Sequence, residues 1–212
     1  MSKREDIIDG KAAPGRKYGL IYTRKCGWVD LGHANGQGAL ELYRNIQAVN
    51  KSRQRFRSFY YSQGMGNQIK IRFTRRYSLT AQLTPPQVKS VALGVFMFVS
   101  KDFEGMQDNI FWRQFTDSGF SVEDLVSNLI GFYRAVEAPR DYIALCEPVS
   151  RQEAWYVWDT YGAVGQTKNK EFSPYLYPTK PDSKLPPMRV PVPAFLNTIT
   201  PEPPGALYKK TM

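Results

Sequence analysis

The apolar positions of this chain recur with two different periods, which sort it into helical and extended segments. Over residues 68–79, Ile69, Ile71 and Phe73 alternate with Lys70, Arg72 and Thr74, the two-residue period of a strand buried on one face. With residues 56–62 across the glycine-containing QGMGN, this predicts a hairpin whose wet face carries a stripe of cations. Residues 18–23 read as an earlier strand. Leu40, Tyr43 and Ile46 place a short amphipathic helix over 39–49. Thr84-Pro85-Pro86-Gln87 has the residues of a capping box with proline at the helix start, so 88–103 is predicted helical. That helix is apolar round much of its circumference from Val91, and its end delivers Asp102 and Glu104 to the edge of the core. Ser121 with Asp124 opens a helix over 122–136 with Leu125, Val126, Leu129, Ile130 and Tyr133 as its buried stripe. Ser150 with Glu153 opens another, carrying Trp155 and Trp158.

Past residue 171 the periodicity stops. Ten of the fifteen prolines lie between Pro174 and Pro204, among aromatic and aliphatic residues such as Tyr175, Tyr177, Val190 and Phe195. This predicts an extended stretch that lies along a surface rather than folding on itself. The expected architecture is α+β: a small antiparallel sheet packed on three to four helices in one compact domain, 1–170, followed by a proline-rich tail, 171–212, packed on the domain or on a partner. No internal repeat points to a solenoid.

Composition sharpens this picture at two points. With 42% hydrophobic and 14% aromatic residues in 212, the chain can fill a core, which excludes disorder. Its net charge of +10 is localised: no carboxylate falls between Glu41 and Asp102, whereas Arg53, Arg55, Arg57, Lys70, Arg72, Arg75 and Arg76 all do. A positive face attracts polyanions, including nucleic acid, anionic lipid and the acidic polymers of a bacterial wall. Charges at the N-terminus occupy the place of a Sec signal's apolar run, and no stretch is long enough to span a membrane, so cytoplasmic synthesis is expected. Cys26 and Cys146 match no zinc spacing; a single disulfide between them stays open.

The chain has one histidine, His33, beside Cys26 and Asp30. Histidine is the side chain that exchanges a proton near neutrality, so His33 is the obvious general base. The residues leave three readings: a Cys26–His33 nucleophile pair, a base or divalent-metal ligand partnered by carboxylates, or a loop histidine that ties down backbone. Glu104 is the preferred catalytic carboxylate, because a helix C-terminus disfavours negative charge and such a residue needs another reason. Glu123 and Asp124 are explained either by the helix dipole or by acid–base work. Ser127 and Asn128, one turn later, are polar among Leu125, Val126, Leu129 and Ile130 and need partners if buried. They are candidates to hold the His33 loop.

Two segments carry a resemblance. Residues 19–33, GLIYTRKCGWVDLGH, resemble the GGFID-GH signature of an uncharacterised bacterial family of envelope-associated proteins, and residues 120–131, FSVEDLVSNLIG, are similar to its FSxEDxxSNLLG segment. The resemblance implies Asp30, His33, Glu123, Asp124, Ser127 and Asn128 as site residues and brings no established reaction. Cys26 stands where the family commonly has glycine, which counts against cysteine chemistry. The signal-less, basic chain also resembles small antibacterial effectors loaded into a contractile (type VI) secretion apparatus.

The expected function is therefore an effector that hydrolyses peptidoglycan in a target cell's periplasm, with His33 and Glu104 flanking a cleft, Asp30 orienting His33 and the basic sheet gripping the polymer. An immunity protein and a secretion-apparatus component are the partners this implies. Two rivals are a non-catalytic nucleic-acid-binding protein and a structural or adaptor component of a phage tail or secretion machine.

Overall fold

The computed structural model describes residues 2–52, 57–65, 71–107, 120–137, 139–180 and 186–211. It is an α+β fold of small antiparallel sheets and, among the described residues, five α-helices. The chain divides into two compact units, each built from two stretches of sequence: residues 1–36 with 104–197, and residues 37–103 with 198–212.

The first unit opens with a hairpin. Strands β1 (Leu20–Thr23) and β2 (Gly27–Asp30) pair from Leu20↔Asp30 to Thr23↔Gly27. Helix α3 (Asp124–Val136), the short α4 (Tyr142–Leu145) and α5 (Arg151–Tyr161) follow, with a two-stranded β5 (Tyr175–Leu176) and β6 (Met188–Arg189) pair. Tyr22, Trp28, Val122, Val157 and Tyr177 form a core with Leu20 and Ile7. Its rings meet edge to face, Tyr22 on Trp28 at 5.1 Å and Trp28 on Trp158 at 5.9 Å between centroids. The Tyr22 hydroxyl donates to the Tyr177 carbonyl at 2.7 Å and accepts from the Tyr177 amide, so the polar end of this buried ring is satisfied. Ser150 accepts from the Glu153 amide while the Glu153 carboxylate accepts from the Ser150 amide, so the capping box that opens α5 is formed.

The second unit is a three-stranded sheet with two helices. Strand β4 (Ile71–Leu79) lies between β3 (Ser58–Met65) and β7 (Tyr208–Thr211), antiparallel to both. Phe59, Tyr61, Tyr77, Leu79 and Tyr208 are buried on one face, as a two-residue period requires. Helix α1 (Gln37–Lys51) buries Ala39, Leu42, Ile46 and Asn50, a stripe one position off the expected Leu40 and Tyr43, which are half-buried. Asn50 is fully used: its amide donates to the Leu83 carbonyl and accepts from the Leu83 amide, both at 2.9 Å. Helix α2 (Pro85–Gln107) begins where Thr84 and Gln87 place it, the Gln87 side chain accepting from the Thr84 amide at 2.9 Å. Its last turn, from Glu104, belongs to the first unit.

The proline-rich segment does not form the expected tail. Residues up to 197 contribute β5, β6 and the buried Tyr177 and Leu196 to the first unit; residues from 198 contribute β7 and the buried Ile199 and Tyr208 to the second. Its apolar side chains supply the burial that makes it part of each core. The main chain at Glu202 crosses α2 at Gly94, the Glu202 amide donating to the Ser90 carbonyl at 3.0 Å.

Candidate active site

Beyond β2 the chain enters a 3-10 turn, His33–Asn35, which Asp30 closes: its Oδ1 accepts from the Gly32 amide at 2.6 Å and the His33 amide at 3.1 Å. One face of α3 grips this turn. Ser127 Oγ accepts from the Asp30 amide at 2.9 Å, and the Arg134 guanidinium donates to the Ala34 carbonyl at 2.6 Å. Between them the two backbones touch: Gly36 has φ 73°, and a Cβ there would sit 2.2 Å from the Gly131 carbonyl oxygen. Spacings of four and three residues put Ser127, Gly131 and Arg134 on that face.

One turn earlier on the same helix, Asp124 Oδ1 lies 3.4 Å from His33 Nδ1. The imidazole is 46% exposed and the carboxylate 8%, so a buried anion holds a ring that solvent reaches. Packing around the ring works against its charged form, but the hydrogen bond and charge of Asp124, aided by Asp30, outweigh it and raise His33 to about 10. That direction favours the imidazolium, the form that donates a proton or stabilises an anion, over the neutral ring that a general base needs.

Glu104 joins this pair. It is 2% exposed, and its Oε2 accepts from the Phe120 amide at 3.2 Å. Burial first, and then the charge of Asp124, push its carboxyl well above the ordinary range, against the opposing pull of His33 and the Phe120 amide. A carboxyl that keeps its proton can donate it to Asp124, whose buried Oδ2 has no hydrogen-bond partner among the described residues. Glu123 is raised for the same two leading reasons, and among the described residues its Oε2 and the Asn128 Nδ2 are buried without partners. Each such atom costs about 1–3 kcal/mol. Their concentration around Asp124 marks a place where folding stability has been set aside.

Other predicted residues fall elsewhere. The Asp30 carboxylate takes main-chain amides, and it is Asp124 that orients the ring. Cys26 is fully buried at the far end of β2 from Asp30, roughly 13 Å along the strand, so no Cys26–His33 pair is assembled. Among the described residues no group of three His, Cys, Asp or Glu is arranged to hold a metal ion. Arg134 and Gly131 were missed by sequence reasoning, although a stripe of Asp124, Ser127, Gly131 and Arg134 along an apolar helix was there to find. Arg134 also lines, with Leu31, Pro14, Arg140 and Asp141, a cavity of about 500 Å³.

Of the basic residues, Arg53, Arg55 and Lys70 lie outside the described residues. Arg57 donates to Gln82 at 3.1 Å, and Arg72 lies in β4. Arg75 and Arg76, being consecutive in a strand, point to opposite faces: Arg75 lies 3.7 Å from Asp102, whereas Arg76 stands over the ring of Tyr60 at 5.8 Å. The register adds Lys209, beside Ser78, to the Arg76 face. The wet face of this sheet therefore has Tyr60, 57% exposed, flanked by cations, and Arg75 is no part of that stripe.

No protein-family model, curated protein or solved structure matches the chain.

Proposed function

We propose that the protein is an antibacterial effector acting on the bacterial envelope, and that its first unit hydrolyses peptidoglycan with His33 as the proton donor. The observation that carries this reading is the solvent-reachable imidazole held by a buried Asp124, with the buried Glu104 beside it. In the reaction, water attacks the scissile carbon and releases a proton to solvent, while the bond to the leaving oxygen or nitrogen breaks and the His33 imidazolium gives its proton to that leaving atom. Asp124 keeps the ring charged and oriented, and Glu104, sharing a proton with Asp124, buffers the loss. The cavity beside the turn, with Arg134 and Arg140 in its wall, suits a carboxylate-bearing stem peptide. The two segments that resemble the envelope-associated family meet at this site through the Asp30–Ser127 hydrogen bond, 97 positions apart. A secretion apparatus for delivery and an immunity protein for self-protection belong to the same reading.

Purified sacculi test it. The unmutated protein should release soluble fragments, and His33→Ala and Glu104→Gln should lower the rate by about 10²-fold or more; no release by the unmutated protein overturns the proposal.

The exposed Tyr60 beneath Arg76 supports a second reading, in which the sheet of the second unit binds single-stranded nucleic acid by stacking and charge. That reading expects affinity to fall steeply with salt and to collapse in Tyr60→Ala.

A further inference from the structure

The chain has two cysteines, 120 positions apart in sequence, and the fold of the first unit brings them together. Beyond β1 the turn at Arg24–Lys25 runs alongside the segment leaving α4: the Arg24 amide donates to the Glu147 carbonyl at 3.0 Å, the Lys25 amide to the Cys146 carbonyl at 3.1 Å, and Thr23 bridges Pro148. Both side chains are free thiols with no exposed surface. The Cys146 thiol donates to the Tyr142 carbonyl at 3.0 Å and lies within hydrogen-bonding range of Cys26. A disulfide needs Cα atoms about 4.4–6.8 Å apart, and the main-chain hydrogen bonds at Arg24 and Lys25 bring the two segments alongside each other. Two such residues in a chain that has no others are not needed as filler, since alanine or valine packs a core as well without the reactivity.

We propose that Cys26 and Cys146 are a disulfide site, thiols where the chain is made under reducing conditions and a cross-link between the β1–β2 turn and α4 once it meets a thiol oxidant. The oxidant is itself a disulfide, of a small thiol or of an oxidoreductase. One cysteine thiolate attacks it, forming a mixed disulfide and expelling one thiol; the second cysteine thiolate then attacks the mixed disulfide, forming the Cys26–Cys146 bond and expelling the other thiol. Two protons leave the cysteines, and the oxidant takes the two electrons. The neighbouring Cys26 thiol and burial together hold Cys146 well above the ordinary thiol range, so in the folded protein exchange is slow and the bond closes during folding. The bond does not depend on the proposed hydrolase. If the protein does act in a periplasm, that compartment is where the bond would form.

The test is to refold the full chain in a mixture of reduced and oxidised glutathione and, in parallel, in dithiothreitol. Oxidative refolding should give a monomer lighter by about 2 Da, resistant to alkylation after denaturation, with a Tm several degrees above that of the reduced chain and restored to the reduced value by dithiothreitol. Cys146→Ala should abolish both the mass change and the redox dependence of Tm. A folded monomer whose two thiols both remain alkylatable, or a product linked only between chains, overturns the assignment. Both readouts come from the unmutated chain, so they stand even where the variant fails to fold. Wall-fragment release from the same oxidised sample is scored separately, and its absence counts against the hydrolase and not against the bond.

Discussion

A free imidazole loses its proton near pH 6.5, and His33 is raised to about 10 against the opposing effect of burial, with Asp124 the largest of the groups that raise it. In the sequence Asp124 is an ordinary first-turn acid, and the helix dipole accounts for it without catalysis. What distinguishes it is burial, which no local pattern announces. The pairing makes a definite pH prediction: activity that depends on the His33 proton should persist until its alkaline limb near pH 10, and in Asp124→Asn that limb should move down toward about 6.5. A pH–rate profile unchanged by Asp124→Asn would separate His33 from the chemistry. The turn that presents His33 makes a second one. Gly36→Ala places a Cβ against the Gly131 carbonyl at positive φ and should cost about 2–4 kcal/mol, read as a lower midpoint of chemical denaturation, with loss of activity.

At the scale of elements, those with a start signal were legible. The Thr84–Gln87 and Ser150–Glu153 pairs each make the side-chain-to-amide bond that their residue types imply. Strand β2 was not, because only three residues separate it from β1 and its partner is that same strand, so the pair reads as one extended run. Helix α4 has only four residues, too few to show a period. The start of α3 lies two residues past the expected one, with Glu123 in the capping position but no side-chain cap. Gly94, interior to a long helix, looks like a weak point by propensity alone. The fold explains it: a Cβ there would lie only 1.9 Å from the Glu202 carbonyl oxygen, a contact between main chains that cannot relax by a rotamer change. Gly94→Ala should therefore destabilise the second unit by about 2–4 kcal/mol, where propensity would predict a gain of about 1 kcal/mol. Thermal melting of the variant decides the sign.

For the whole molecule, the first unit's buried acids and its raised histidine act on stability in one direction. Glu104 and Glu123 hold their protons in the fold at pH values where the unfolded chain has lost them, and this stabilisation fades as pH rises out of the ordinary carboxyl range. His33 contributes fully below its unfolded value and loses its contribution as pH rises through about 10. The protein should thus be more stable at about pH 5 than at about pH 9, with the slope reduced in Glu104→Gln; stability rising with pH over that span would refute the charge arrangement. The α+β class could be read from periodicity, but the partition into units could not, because each is assembled from distant stretches whose pairing depends on contacts rather than on local pattern. That interleaving governs synthesis. While a ribosome is still adding the stretch that ends in Tyr208–Thr211, β4 has β3 on one side and an open hydrogen-bonding edge on the other. The nascent chain must keep that edge from other strands until β7 arrives, so the sheet of the second unit closes only after residues 208–211 have been made.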